Sequence, residues 1–314
     1  MPNSVTRIGN HAFDSCSGLT ELTLPSVTSI RDEAFWGCTG LTELTLPNSI
    51  TSIGNSAFYG CSGLTELILP TSLRSIGESA FYGCSGLTEL ILPNSVTSIG
   101  ESAFEGCTGM TKLTLPNSLV SIGESAFWGC SGLTELTLPN SVTSIGMQAF
   151  WGCSGLTELT LPNSVTSIGY DAFAYCSGLE KITVESGNSC YDSRDNCNSI
   201  IDTETNTLIV GCKNSIIPNS VTSIGESAFY GCSGLTELTL PSSVTRIGKN
   251  AFSDCSGLEK IISLAEIPPV CGSGGVFYGV NKTNCELIVP VISVIAYKLA
   301  EVWNKFSNIR GFSK

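Results

Sequence analysis

Apolar and polar residues recur in a fixed order along most of the chain, and residues 87–109, LTELILPNSVTSIGESAFEGCTG, show that order in full. Leu90 and Leu92 are separated by one residue, which is the spacing of a strand with one buried face. Pro93 then removes a backbone donor and ends this strand. The β-branched residues within 96–99 predict a second, shorter strand. The first half of each unit is therefore expected to be extended.

The second half of the unit predicts a turn. Gly100 turns the chain, and residues 101–104 suit one helical turn because they are too few for a stable helix. The unit closes with an Ala-Phe pair, and in most cases this pair recurs every 22 or 23 residues. The phenylalanines of the pair are Phe13, Phe35, Phe58, Phe81, Phe104, Phe127, Phe150, Phe173, Phe229 and Phe252.

A period of this length is typical of a solenoid, in which each unit packs mainly against its neighbours. A single unit cannot cover its own apolar side chains, so the units must stack to fold. The predicted fold is mostly β: a right-handed leucine-rich-repeat solenoid of 23-residue coils with a parallel concave sheet. It also has a hairpin-like insertion and a C-terminal helical cap. A repeat scaffold indicates function only by class, because sites are added to its surface.

Two segments depart from the repeat. Phe173 and Phe229 are 56 residues apart, which is two periods and ten residues more. An irregular insertion is expected there, over about residues 185–217. The β-rich runs at 199–201 and 207–210 flank a polar stretch and predict a hairpin.

The C-terminal segment predicts a cap. Residues 287–290 form a last strand, and apolar residues from Val294 to Phe306 recur at helical spacing. We therefore divide the chain into a leucine-rich repeat solenoid of residues 1–290 and a C-terminal cap of residues 291–314. The chain begins in mid-repeat, and an open solenoid end normally needs a cap, so we expect a truncated chain or a mature fragment. The first residues lack the basic and apolar regions of a secretory signal.

Composition and charge exclude some classes of protein. The chain has a formal net charge of −12, whereas binding to nucleic acid needs a basic surface. Mean hydropathy is +0.25, yet no run of 18 apolar residues occurs, so no transmembrane segment is expected. We expect a monomer.

Ten of the 15 cysteines follow the repeat, at Cys16, Cys38, Cys61, Cys84, Cys107, Cys130, Cys153, Cys176, Cys232 and Cys255. A position shared by every coil indicates a buried ladder, in which free cysteine acts as a small apolar residue. No Cys-x-x-Cys occurs and the sole histidine is His11, so a metal site is not expected. Off the ladder, Cys197 with Cys212 and Cys271 with Cys285 are candidate disulfides in an oxidising compartment.

Two columns of side chains on the strands are expected to face outward between the buried leucines. The charged column consists of Glu21, Glu43, Glu66, Glu89, Lys112, Glu135, Glu158, Lys181, Glu237 and Lys260. The Thr/Ile column beside it consists of Thr23, Thr45, Ile68, Ile91, Thr114, Thr137, Thr160, Thr183, Thr239 and Ile262. Together they form either a binding face for a basic or polar partner or a solvated face that the repeat merely copies.

An aromatic column follows the repeat phenylalanine, at Trp36, Tyr59, Tyr82, Trp128 and Trp151, and Glu105 takes this position in the coil between Tyr82 and Trp128. If exposed, these rings would anchor a protein partner or stack on sugars. The alternative is that they pack against the turn of the adjacent coil.

Catalytic chemistry has little support. One histidine makes a histidine-activated nucleophile improbable, and no phosphate-binding glycine loop occurs. Asp192 and Asp195 lie in the insertion, without the spacing of a calcium loop. We therefore expect no cofactor, no catalytic residues and no enzyme.

The unit LTELTLPNSVTSIGESAFYGCSG resembles the BspA-like leucine-rich repeat family of bacterial surface proteins. The shared features are the Leu-x-x-Leu-x-Leu-Pro strand, the Ser-Ile-Gly turn and the Ala-Phe-x-x-Cys close. The tail, with Ala296-Tyr297-Lys298 and Trp303-x-x-Phe306, is similar to the closing segment of such proteins. Pro290-Val291-Ile292-Ser293 stands where a glycine turn is usual.

This resemblance implies a cell-surface or secreted protein that adheres to host matrix proteins, to epithelial cells or to other microbes. The leading hypothesis is a non-enzymatic binding or adhesion module for a protein or glycan partner. The alternative is a structural spacer, a stalk of a larger surface protein with no ligand of its own.

Overall fold

The computed structural model of the protein describes residue 2 and residues 4–313, which form two compact units. Unit 1 consists of Met1–Leu156 and Ser164–Phe173, and unit 2 consists of Thr157–Asn163 and Ala174–Lys314. Each unit is built of stacked coils whose strands pair mostly in parallel. The division into residues 1–290 and 291–314 stays a prediction.

The first strands in chain order belong to unit 1. They are β1 (Arg7–Ile8), β2 (Glu21–Thr23), β3 (Ser29–Ile30), β4 (Glu43–Thr45), β5 (Ser52–Ile53), β6 (Glu66–Ile68), β7 (Ser75–Ile76), β8 (Glu89–Ile91), β9 (Ser98–Ile99), β10 (Lys112–Thr114), β11 (Ser121–Ile122) and β12 (Ser144–Ile145). β13 (Glu158–Leu161) belongs to unit 2 and β14 (Ser167–Ile168) to unit 1.

In unit 1, equivalent residues of successive coils pair in parallel. The three-residue strands form the sheets β2-β4-β6 and β8-β10, and the two-residue strands form β1-β3-β5-β7 and β9-β11-β12-β14. Leu44 is buried between exposed Glu43 and Thr45, which confirms the predicted alternation. The predicted second strand is also confirmed. The repeat therefore places the charged column and the Thr/Ile column on one exposed face, here called the strand face.

The predicted helical turn over residues 101–104 is wrong. Ser102 has a φ of +50°, which no right-handed helical turn contains. The N–H groups of Ser102 and Phe104 instead donate to the carbonyls of Glu124 and Ala126 in the next coil, at 2.8 and 2.9 Å. Pairing with the adjacent coil satisfies more backbone groups than a single isolated turn could.

Two internal ladders fill the coils of unit 1. The phenylalanine rings stack with centroids 5.1–5.6 Å apart, from Phe13 to Phe173. The ladder cysteines of this unit are buried except for Cys16, which confirms the predicted packing role. Each buried ladder thiol of this unit also donates to the carbonyl of the phenylalanine in the preceding coil, as Cys61 does to Phe35 at 3.2 Å. This contact satisfies a buried polar group that the sequence pattern does not reveal.

Burial of the ladder thiols predicts alkaline sensitivity. Desolvation raises the pKa of Cys61 to about 12, and raises the pKa values of Cys84, Cys107 and Cys130 well above 9.0. Unfolded thiols ionise above about pH 9, whereas the folded ones stay protonated. This contribution to stability is therefore complete below pH 9 and is lost as the pH rises towards 12. Urea denaturation at several pH values from 8 to 11 should show a falling midpoint.

Tyrosine and lysine also titrate in this range, so the test needs a control. In a variant with Cys61, Cys84 and Cys107 all replaced by alanine, the midpoint should fall less steeply with pH. An unchanged slope would show that the thiols do not cause the loss.

The remaining strands belong to unit 2. They are β15 (Lys181–Val184), β16 (Tyr191–Asp192), β17 (Ser199–Asp202), β18 (Thr207–Gly211), β19 (Ser223–Ile224), β20 (Glu237–Leu240), β21 (Arg246–Ile247), β22 (Lys260–Ser263), β23 (Val270–Cys271), β24 (Glu286–Pro290) and β25 (Asn308–Phe312). Their sheets are β13-β15, β16-β17-β18-β19-β21-β23 and β20-β22-β24-β25.

The insertion contains the predicted hairpin. β17 and β18 pair antiparallel, with a register shift between Ile200 and Ile201. The carboxylate of Asp202 closes the turn by accepting hydrogen bonds from the N–H and hydroxyl of Thr205, at 2.8 and 2.9 Å. β18 also pairs in parallel with β19, so Leu208 lies opposite the repeat residue Ile224. The hairpin thus joins the repeat sheet through its second strand.

The predicted C-terminal helix is shorter than its apolar spacing suggests. The helix α1 spans only Val294–Leu299, between 3₁₀ turns at Val291–Ser293 and Trp303–Lys305. Val302 has a φ of +70°, which ends any helical path. The chain then forms β25, an unpredicted strand that pairs with the predicted last strand β24. A strand here satisfies the edge of the sheet, which a longer helix would leave unpaired.

Buried aromatic residues hold this segment against the coils. Trp303 donates from its indole Nε1 to the carbonyl of Pro269 at 2.9 Å. The Tyr297 hydroxyl lies 2.7 Å from the Ser263 hydroxyl and donates to the carbonyl of Ala265 at 3.1 Å. Both rings are fully buried, so their polar atoms need these partners.

Substituting Tyr297→Phe is expected to lower the free energy of unfolding by about 1–2 kcal/mol, because it leaves the buried partners of the hydroxyl unsatisfied. Urea denaturation measures the loss. Tyr278→Phe is a matched control, because Tyr278 is 68% exposed and should change stability by less than about 0.5 kcal/mol. Equal losses in both variants would contradict the proposed role of the buried hydroxyl.

Candidate functional site

The charged column is exposed, and its lysines pair with glutamates. In unit 1 the Nζ of Lys112 lies 2.5 Å from a carboxylate oxygen of Glu89. In unit 2 Lys181 pairs with Glu158 at 3.2 Å, and Lys260 pairs with Glu237 at 3.0 Å. In every case the lysine belongs to the coil that follows the glutamate. Each pair is exposed to solvent, so it contributes at most about 1 kcal/mol.

The first three glutamates of the column have no such partner. Glu21, Glu43 and Glu66 are paired in register on β2, β4 and β6, and none makes an ion pair within the described part of the chain. A groove of about 330 Å³ is lined partly by Glu21, Glu43, Thr23 and Thr45. Strands of one sheet are about 4.8 Å apart, so the three carboxylates form a compact negative row.

Glu135 differs from the other predicted site residues of the column. It is exposed, but the coil that contains it has no assigned three-residue strand. Glu158 lies on β13 in unit 2 and is already paired with Lys181. The five glutamates predicted as site residues therefore differ in their surroundings. Of these five, only Glu43 and Glu66 combine an exposed strand position with the absence of an ion pair among the described residues.

The Thr/Ile column exposes two large aliphatic side chains. Ile68 on β6 is 48% exposed and Ile91 on β8 is 55% exposed, whereas Leu67 and Leu90 beside them are buried. Threonine occupies this position in most other coils. The strand face of unit 1 therefore carries an apolar patch next to the row of carboxylates.

The aromatic column is a ladder of stacked rings. The centroids of Trp36 and Tyr59 are 5.6 Å apart, and those of Tyr59 and Tyr82 are 4.4 Å apart, with rings tilted by only 13° and 1°. Trp36 is 38% exposed, and both tyrosines are half-buried. The faces of Tyr59 are covered by its neighbours. Tyr59 therefore presents its ring edge to solvent, and all three rings pack against adjacent coils.

The aromatic column is interrupted by Glu105 and then continues with Trp128 and Trp151. The nearby negative charge of Glu105 is the main cause that raises the pKa of the Tyr82 hydroxyl. Trp128 is 37% exposed and Trp151 is half-buried. Sugars stack on the face of an aromatic ring. A ladder that covers its own faces at Tyr59 is poorly suited to that contact.

The repeat sequence of these coils matches the family described as the BspA type leucine rich repeat region, over residues 1–108, 74–200 and 199–271. The chain belongs to the BspA-type leucine-rich repeat family. The coils described above are therefore repeats of a BspA-type array. None of the curated proteins matches the chain.

The similar solved structures include two bacterial leucine-rich repeat proteins. A leucine rich cell surface protein of Faecalibacterium prausnitzii is 27% identical, with a TM-score of 0.69 over 94% of this chain and 86% of that one. A leucine-rich repeat protein of Bacteroides ovatus is 26% identical, with a TM-score of 0.65 over 100% of this chain and 83% of that one. Both support a BspA-type solenoid fold.

The described residues of this BspA-type chain form neither a clustered metal site nor a membrane-spanning helix. In the described residues, no three histidine, cysteine, aspartate or glutamate side chains come together as a metal site. Asp192 is already paired with Arg194, whose Nε donates to its carboxylate at 2.8 Å. Over residue 2 and residues 4–313, no helix has the length and apolar character to cross a membrane.

The four cysteines of the candidate disulfides are free thiols in the structure. The Sγ of Cys197 is directed to the carbonyl of Ser199, and the Sγ of Cys212 to that of Asn198. Cys271 and Cys285 likewise contact backbone carbonyls of nearby residues. Each sulfur is thus oriented towards a hydrogen-bond acceptor, and the two candidate disulfides stay a prediction.

Proposed function

We propose that this protein is a non-enzymatic binding module of a bacterial cell-surface or secreted protein, and that it recognises a protein partner through the strand face of unit 1. The observation that carries the proposal is the combination, on one regular face, of exposed isoleucines with carboxylates that pair with no described residue. Such side chains are costly or neutral for the fold, because like charges in adjacent strands repel. They suit a surface that a partner covers.

The aromatic column supports a protein partner over a glycan. Its rings cover one another at Tyr59, so a sugar has no free ring face there. Location at the cell surface is supported by the family and by the similar Faecalibacterium prausnitzii protein, which is described as a cell surface protein.

The test is binding of the purified chain to immobilised matrix proteins, epithelial surface proteins and glycans, measured by biolayer interferometry. We expect saturable binding to at least one protein and none to the glycans. Glu43→Lys should weaken that binding, whereas Glu101→Lys, an exposed change in the turn segment, should leave it intact. Binding to glycans alone would contradict the proposal, and so would no binding at all, which favours a spacer.

A further inference from the structure

The carboxylates of Glu21, Glu43 and Glu66 repel one another. Their strands pair directly in register and lie about 4.8 Å apart. The three carboxylates are therefore neighbours along the sheet. Like charges at this separation repel, and a cation seated between two of them relieves the repulsion. No described residue of the chain supplies that cation to these three.

The same chain shows how a cation sits in this column. Lys112 lies in register with Glu89 on the preceding coil, and its ammonium contacts that carboxylate. The arrangement recurs in unit 2, where Lys181 pairs with Glu158 and Lys260 with Glu237. The three pairs define a geometry that a lysine or arginine from outside can reproduce on the unpaired row.

An independent observation concerns the apolar patch beside the row. Ile68 and Ile91 are about half exposed, in a column where the repeat otherwise carries mostly threonine. Exposed threonine would serve a solvated face equally well, and each isoleucine leaves apolar surface in water. A partner that covers this face therefore gains from aliphatic contacts as well as from charge.

We propose that the strand face of unit 1 between residues 21 and 91 docks a basic segment of a partner polypeptide. Lysine or arginine side chains of that segment pair with Glu21, Glu43 and Glu66, and its apolar side chains cover Ile68 and Ile91. This inference rests on the proposed function, because it names the chemistry of the protein partner. The chain's formal net charge of −12 assists the approach of a basic partner at low salt.

The test uses a short synthetic peptide with lysine and leucine in alternation, and a second peptide with glutamate in place of lysine. Fluorescence anisotropy measures binding of each to the full chain. The lysine peptide should bind, and added salt should weaken that binding. The glutamate peptide should not bind. A triple variant of Glu21→Gln, Glu43→Gln and Glu66→Gln should weaken binding of the lysine peptide about tenfold, as expected for three exposed ion pairs.

The matched control removes the same charge elsewhere in unit 1. This control is the triple variant Glu78→Gln, Glu101→Gln and Glu124→Gln, whose three residues lie on the turn segments. It should change binding of the lysine peptide by less than about twofold. Equal weakening by both triple variants would show a nonspecific charge effect and overturn the inference. A double variant of Ile68→Thr and Ile91→Thr tests the apolar contacts, because threonine is the residue that most other coils carry there. If this variant binds the lysine peptide as tightly as the unchanged chain does, the apolar part of the inference is overturned.

The experiment separates this inference from the proposed function. If a matrix or surface protein binds the chain and the row variant binds it equally well, the function stands and the basic-segment inference fails. If no protein binds, the proposed function fails, whatever the peptides do.

Discussion

Substituting Phe104→Ala is expected to lower the free energy of unfolding by about 3–5 kcal/mol, because it opens a cavity in the middle of the phenylalanine ladder. Phe104 is fully buried, and its ring stacks on Phe81 and Phe127 at centroid distances of 5.4 and 5.6 Å. The surrounding coils repeat at a fixed spacing set by their backbone hydrogen bonds, so they cannot collapse into the void. Urea denaturation followed by circular dichroism gives the change.

Glu101→Ala is the control for this variant. Glu101 is exposed in the same coil, and its loss should change stability by less than about 0.5 kcal/mol. A loss below about 1 kcal/mol in the Phe104→Ala protein would mean that neighbouring coils close the cavity, and would contradict a rigid ladder.

Substituting Gly109→Ala should cost about 3 kcal/mol, by overpacking between coils. A Cβ at Gly109 would lie 2.4 Å from the carbonyl oxygen of Ser85, which is backbone and cannot rotate away. That N–H also donates to the same oxygen at 3.0 Å, so separating the coils would weaken a hydrogen bond. The glycine is thus required by close approach of the preceding coil. The midpoint of thermal or urea unfolding measures the effect.

The repeat supplies a matched control at the equivalent position. A Cβ at Gly18 would have nothing within 4 Å, so Gly18→Ala should change stability by less than about 0.5 kcal/mol. The two substitutions are chemically identical and differ only in the neighbouring coil. Equal losses in both would show that the cost comes from local backbone preference and not from stacking.

The candidate site was only partly predictable from the sequence. The columns on the strand face follow directly from the alternation of leucine with polar residues, and the exposure of Glu43 and Ile68 agrees with it. The pairing of Lys112 with Glu89 needed the register of the strands. That register leaves Glu21, Glu43 and Glu66 as a distinct row, which a sequence column of ten residues does not separate.

The helical turn predicted over residues 101–104 is wrong and the C-terminal helix is shorter than predicted, for a common reason. Residues 101–104 have the length of a helical turn, and residues 294–306 have the spacing of a helix. In both places the backbone turned instead to a neighbouring strand or coil, through Ser102 in one case and β25 in the other. Local spacing describes which side chains are buried, but it does not show which backbone groups of a distant segment need partners.

The sequence by itself determined the repeat, the parallel coils, the buried leucine, phenylalanine and cysteine positions and the hairpin, because each depends on periodic apolar residues that only stacking can cover. The tertiary structure alone decided the register of the charges, the stacking of Tyr59 between its neighbours, and the close backbone contact at Gly109. These depend on distances between coils, and those distances are set by hydrogen bonds between residues about one period apart in the chain.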